Sequence, residues 1–273
     1  MRYGNQFAKR LQRGSLVLLA LAGGCFGGSA PVAPEEQRLN ELLARANQQT
    51  AAFLDQFSEV KCTEQVRQEK LGKDDKVALK EDSTYDYLVI LTNAGGELNL
   101  SESRLPVHEA KRDRKNTPML LSNGFATLFL VFHPYYAEAF RFTSIGDETM
   151  GGKVLSKIAF HHVVGMKTPA ALALRGREYP LELSGTAWID PQSGAIARIE
   201  AGIEDTLQDV GLKSLHSEVE FAPVPFADTK QVYWFPKQAS VEVETPRQHW
   251  RNLHRFTEYK KFSVSTEEKV TTK

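Results

Sequence analysis

The residues of this 273-residue chain that could do chemistry are its histidines, its two cysteines and a few acidic side chains, and their spacing is poor for catalysis. His161 and His162 are adjacent. In a strand, neighbouring side chains point to opposite faces, so the pair does not grip one metal ion. His108-Glu109 has no partner at a helical spacing, and His249 and His254 sit among aromatics near the end of the chain. No nucleophile or orienting carboxylate can be placed beside any of them from the sequence, and they read as surface or packing histidines. Asp190-Pro191-Gln192-Ser193-Gly194 begins like a calcium loop, but the ligand positions that should follow are apolar, so it reads as a turn. The motifs G-x-S-x-G, H-E-x-x-H, C-x-x-C and the phosphate-binding glycine loop do not occur. The expectation is a protein that is not an enzyme, with no cofactor, no metal and no catalytic residue.

The elements that would position such residues are mostly strands. Gly185 to Ile203, GTAWIDPQSGAIARIEAGI, reads as a hairpin: Pro191 presets φ, the Asp190 carboxylate accepts from the following N–H groups, and Gly194 takes a positive φ. That loop places Ile189 opposite Ile196 and Trp188 opposite Ala197, with Trp188 sharing the buried face of Ile199 and Ala201. Val154 to Val164, Lys213 to Pro223, Val232 to Thr245 and Trp250 to Val264 are further strand candidates in a run of antiparallel neighbours. Cys62 to Leu71 and Tyr85 to Thr92 precede them.

Two stretches have another character. From Glu35, the residues Leu39, Leu42, Leu43, Ala46, Phe53, Leu54 and Phe57 recur at spacings of three and four, the signature of an amphipathic helix of about six turns. Thr117 to Phe132 reads as a second helix, apolar nearly all round and about 15 residues long, too short for a bilayer and so enclosed by protein. His133-Pro134 ends it. Between the Tyr85 strand and this helix, Ser101 to Asn116 reads as a loop, with Lys111, Arg112, Arg114 and Lys115 forming a basic lip for lipid phosphates or an acidic partner.

Residues 1–30 follow the plan of an export signal: Arg2, Lys9, Arg10 and Arg13, then SLVLLALA from Ser15 to Ala22, then small residues. Ala22-Gly23-Gly24-Cys25 resembles a lipoprotein processing site, which makes Cys25 a candidate for acylation; cleavage after Ala30 is the alternative. The expected location is exported and periplasmic, with membrane anchoring through Cys25 as one outcome. Either route leaves Cys62 as a buried small hydrophobe. Lys plus Arg and Asp plus Glu both total 34, and without the four leading basic residues the balance is mildly acidic, which argues against nonspecific nucleic-acid binding. Residues 31–264 are expected to form one domain and 265–273 a polar tail.

An export signal, a long amphipathic helix, many antiparallel strands with an apolar helix inserted, AWIDPQSGAIARIEA and the later WFPKQASVEVE together resemble the outer-membrane lipoprotein-sorting (LolA/LolB-like) family. The resemblance implies an α+β fold: a curved antiparallel sheet, an incomplete β-barrel, with helices covering a concave apolar face. It implies a carrier or receptor for acyl chains of lipid or lipoprotein, meeting a membrane surface or an envelope protein. Phe125, Phe129, Phe132, Tyr135, Tyr136 and Trp188 are the candidate lining. The alternative is a structural or protein-interaction module of the envelope with a packed interior.

Overall fold

The computed structural model describes residues 34–57, 60–94, 97–107, 128–174, 177–204, 207, 211–226 and 232–261. Cys25, the basic lip at Lys111, Arg112, Arg114 and Lys115, His108-Glu109 and Phe125 lie outside the described residues.

Helix α1 spans Pro34–Phe57, with Glu35 and Glu36 in its first turn, where acidic side chains complement the helix dipole. Its Leu42, Ala46 and Leu54 are buried on one side, as the spacing of apolar residues predicts. Twelve strands follow: β1 Val60–Leu71, β2 Val77–Ala94, β3 Glu97–Pro106, β4 Phe140–Met150, β5 Lys153–His162, β6 Ala171–Leu174, β7 Arg177–Pro180, β8 Leu183–Ile189, β9 Ile196–Ile203, β10 Ser214–Pro225, β11 Val232–Glu244 and β12 His249–Lys261. Ten of them form one curved antiparallel sheet in the order β3-β2-β1-β12-β11-β10-β9-β8-β5-β4, open between β3 and β4, while β6 and β7 pair as a separate hairpin. Most neighbours in the sheet are consecutive strands; the exceptions are β1, which pairs with the last strand, β12, and β5, which pairs with β8 across the β6–β7 hairpin, while β3 and β4 form the two edges.

Alternation sets one face of the sheet inward. Ala187, Ile199, Val219, Ala239 and Phe256 occupy it, and they join the same hydrophobic cluster as Leu42, Ala46 and Leu54 of α1. The predicted helix ending at Phe132 is corrected over its described part: Leu128–Phe132 is one short 3₁₀ segment, all five residues buried, and a second 3₁₀ segment runs Pro134–Ala139. Between them His133 is extended, and its Nδ1 accepts from the Tyr135 amide at 3.1 Å. An apolar run with no polar face has no preferred side to bury, so packing rather than periodicity set its form.

Ser101–Pro106 is also strand rather than loop, being the second half of β3. Strand β4 escapes sequence reading because, as the edge of the sheet, it exposes most of its side chains and shows little alternation.

The hairpin turn forms as the sequence dictates. Asp190 Oδ1 accepts from the amides of Gln192 at 2.9 Å and Ser193 at 3.1 Å, and Gly194 has φ +75°. Ile189 faces Ile196, but the register then shifts, so Trp188 pairs with Arg198 and not with Ala197. That bulge corrects the face assigned to Trp188. A single-residue slip moves a side chain to the other side of a sheet.

Candidate functional site

A cavity of about 300 Å³ lies at the end of the sheet where the β8–β9 turn meets the start of β11. Gln49, Thr50, Ala52 and Phe53 of α1 form one wall, Phe129 another, and Ala195, Ile196, Phe221, Val232, Tyr233 and Trp234 complete it. Five separate stretches of chain supply these residues, which explains why they form no contiguous motif.

The aromatic packing fixes its shape. Phe53 meets Phe129 edge-on at 4.5 Å between centroids, and Phe129 meets Phe221 at 6.1 Å. Phe53 also touches Phe235, which stacks on Tyr259 at 4.8 Å. Edge-to-face contacts of this kind hold rings at defined angles and leave space between them that a flat stack would close. Two register shifts border the site, one beside Ile189 and one between Glu220 and Phe221. Bulges bend a strand and re-aim the side chains next to them.

The turn tip seals one side by backbone contact. A methyl group placed on Gly194 would lie 2.6 Å from the carbonyl carbon of Arg45 and 2.8 Å from the Ala46 amide nitrogen. Only glycine allows the turn to sit this close to α1 while holding positive φ.

Among the described residues no charged one lines the cavity, but two ammonium groups rest against its aromatic walls. Lys153 Nζ lies 5.5 Å from the Trp234 ring centre and Lys261 Nζ 5.1 Å from that of Tyr233. Both lysines are exposed. Thr50 borders the cavity but is only 3% exposed, and its Oγ1 is buried with no hydrogen-bond partner among the described residues.

Of the residues predicted to line a site, the cavity takes Phe129. Phe132 is fully buried in the core, 5.1 Å from Phe142 and 6.1 Å from Phe160. Tyr135 and Tyr136 pack edge-on against each other at 4.8 Å, away from the lining, and Lys167 Nζ donates to the Tyr135 hydroxyl at 2.7 Å. Trp188 is on the outer face, flanked by Lys157 at 5.3 Å and Arg198 at 4.8 Å, and its indole N–H donates to Glu148 at 3.1 Å. Phe53, Phe221, Tyr233 and Trp234 were not singled out from the sequence. The last two stand in the WFPKQASVEVE stretch and just before it, the one signal that pointed there.

Three of the histidines do have carboxylate partners, a further correction. His254 Nδ1 lies 2.8 Å from Glu64, His249 Nε2 lies 2.6 Å from Glu242, and His161 Nδ1 lies 2.7 Å from Glu204. Each pairing joins different strands or turns, so spacing along the chain does not reveal it. His161 and His162 do part to different partners, His162 Nε2 meeting the Lys167 carbonyl. Among the described residues no group of three metal-binding side chains comes together.

Glu64 is the centre of a buried polar cluster on the inner face. Arg104 donates to both its oxygens, at 2.6 and 2.9 Å, and also pairs with Glu102 at 2.8 Å. Burial pushes the Glu64 carboxyl up, but the hydrogen bonds from His254 and Arg104 outweigh it and hold the group below its ordinary value. Nearby, burial pushes the Cys62 thiol up to about 12, which keeps it protonated and unreactive.

No protein-family profile and no curated protein sequence matches this chain. Among solved structures, a DUF1329 family protein from Desulfovibrio piger is similar over 86% of this chain and 96% of its own, at 10% identity and a TM-score of 0.45. A putative outer membrane lipoprotein-sorting protein domain from Vibrio parahaemolyticus is similar over 82% and 94%, at 11% identity and a TM-score of 0.39. MucB, in a complex with MucA from Pseudomonas aeruginosa, matches over 84% and 99% with a TM-score of 0.19.

Proposed function

We propose that this protein is a non-enzymatic carrier or receptor of the cell envelope that takes an acyl chain into the cavity between α1 and the sheet, with the helix and the 3₁₀ segments covering the sheet's concave face. The observation that carries this reading is the lining itself: Phe53, Phe129, Phe221 and Trp234 border a pocket of about 300 Å³ that opens to solvent between α1 and the sheet. That volume is at the lower end for small-molecule sites. It corresponds to roughly ten water-sized groups, hence about as many methylenes. Ten buried methylenes contribute about 8 kcal/mol before ordering costs, near micromolar affinity. Residues 1–30, read as an export signal, would send such a carrier to the periplasm, with Cys25 as its anchor if acylated. Lys111, Arg112, Arg114 and Lys115 are the residues whose charge would suit lipid phosphates.

The test is native mass spectrometry of the protein exported by a Gram-negative host and purified without detergent, followed by organic extraction. Co-purifying acyl lipid, lost when Ala52 at the cavity wall is changed to Trp, supports the carrier. A clean protein mass with no uptake of added monodecanoylglycerol supports the alternative, an interaction module with a closed interior.

A further inference from the structure

The outer face of the sheet carries a second hollow that the proposed function does not use, a trough of about 610 Å³ open to solvent across β2, β1, β12, β11 and β10. Strand register assembles it from two rows of side chains that run across the strands. Thr84, Gln65, Arg255, Gln238 and Glu220 stand side by side in one row, and Asp82, Arg67, Leu253, Ser240 and Glu218 in the next. The two ends differ in charge. At the β10 end Arg198 is shared between Glu218, at 3.1 Å, and Glu200, and Lys237 lies 3.7 Å from Glu220, so three carboxylates meet two cations. At the other end Asp82 pairs with Arg67 at 2.8 Å, while Arg255 is exposed and has no carboxylate within ion-pair distance among the described residues.

We infer that this trough binds an extended peptide segment of a partner protein in the polyproline II form, with an acidic side chain against Arg255 and a basic side chain three residues away against Glu220 and Glu218. The spacing fits. Strands β12 and β10 are two strand spacings apart, about 9.6 Å, and side chains three residues apart in polyproline II share a face about 9.3 Å apart. The backbone fits as well. A segment crossing the strands cannot join their ladder, and polyproline II leaves every peptide group to outside partners, which the side chains of Gln65, Gln238 and Ser240 supply along the middle of the trough. Leu253, 37% exposed between Arg67 and Ser240, offers an apolar contact for the rings of intervening prolines. A polyanion is disfavoured, because its length would run onto the carboxylates of β10. The inference does not rest on the acyl-chain reading, since the trough is on the face of the sheet opposite α1.

The experiment titrates the full protein, labelled with nitrogen-15, with end-blocked peptides at low ionic strength and follows amide chemical shifts, including the side-chain amides of Gln65 and Gln238. The first peptide, Gly-Pro-Glu-Pro-Pro-Lys-Pro-Gly, holds acid and base three residues apart. The second replaces its lysine with glutamate, and the third, Gly-Pro-Pro-Glu-Lys-Pro-Pro-Gly, makes the two charges adjacent. The first is expected to bind saturably and to shift both glutamine side chains, with the other two about fivefold weaker. Glu220→Lys should weaken the first peptide about fivefold and tighten the second, an exchange of preference that direct contact gives and a folding defect does not. Arg255→Glu should weaken both. Absence of saturable shifts with the first peptide, equal affinity for all three, or an unchanged ranking in Glu220→Lys overturns the inference, and each of these outcomes leaves the acyl-chain reading as it stands.

Discussion

Replacing Gly194 with alanine tests whether the hairpin turn holds α1 over the sheet. Two costs combine at this position. An L-residue at φ +75° carries about 1–2 kcal/mol of backbone strain. The added methyl would also sit 2.6, 2.7 and 2.8 Å from three backbone atoms of Arg45 and Ala46, inside contact distance and facing main chain that cannot rotate away. Overpacking of this kind costs about 1–3 kcal/mol. The total, about 2–5 kcal/mol, corresponds to a fall in melting temperature of about 4–20 °C for a domain of this size. Gly165 provides the control, because it has φ +82° and a methyl there meets nothing within 4 Å among the described residues. Gly165→Ala should lose only the strain, about 1–2 kcal/mol. Urea unfolding of both variants, read by far-ultraviolet circular dichroism, separates the contact from the conformation. Equal losses in the two would show that turn and helix do not touch in solution, and the cavity wall formed by Ala195 and Thr50 would lose its support.

Four further outcomes follow from the same geometry. Glu64→Ala should destabilise the fold by about 3–5 kcal/mol in chemical denaturation, since it strips a buried guanidinium of a two-pronged partner. Because the Glu64 carboxyl titrates below its ordinary 4.5, its contribution is complete above that pH and is lost as pH falls through the lowered value. The acid limb of a stability–pH curve should therefore flatten in Glu64→Gln. Cys62, with its thiol at about 12, has a thiolate fraction of about one in ten thousand at pH 8 and should label with iodoacetamide only as the protein unfolds; rapid labelling under native conditions would contradict its burial. Trp188→Phe removes the indole bond to Glu148 on the outer face and should leave acyl-probe binding unchanged, whereas Trp234→Phe should weaken it in the same titration.

What was legible in the sequence divides along physical lines. Local chemistry was clear: Pro191, Asp190 and Gly194 make the turn they encode, and the spacing of Leu42, Ala46 and Leu54 makes the face they bury. Long-range consequences were not. The register slip beside Ile189 turns Trp188 outward, and nothing local marks it, because Ala197 is as compatible with a regular ladder as with a bulge. The apolar run ending at Phe132 satisfied a helix pattern and a 3₁₀ segment equally well, and burial on all sides removed the bias that periodicity needs. Glu64 and His254 are 190 residues apart in sequence and meet only because β1 pairs with β12. Of the cavity, Phe129 could be named from its apolar surroundings, while Phe53 and Phe221 looked like ordinary core residues of a helix and a strand.

The inner face is not uniform, and the division bears on what can bind. Around β5 and β8 to β10 it is apolar, with Ile158, Phe160, Ala187, Ile199 and Val219 under α1 and the 3₁₀ segments. Toward β1, β12 and β3 it carries Glu64, Gln68, Asn252, His254 and Arg104, all nearly withdrawn from solvent. Buried charges persist only where their partners are kept, so a hydrocarbon chain extended into that half would displace contacts that it cannot replace. The apolar half is thus bordered on one side by the Glu64 cluster and on another by the Gly194 turn against α1, while Lys261 and Lys153 stand against Tyr233 and Trp234. Under the proposed function, this arrangement suits a molecule that buries one short segment of chain and keeps the rest outside, which is what a receptor requires when its cargo must be surrendered again.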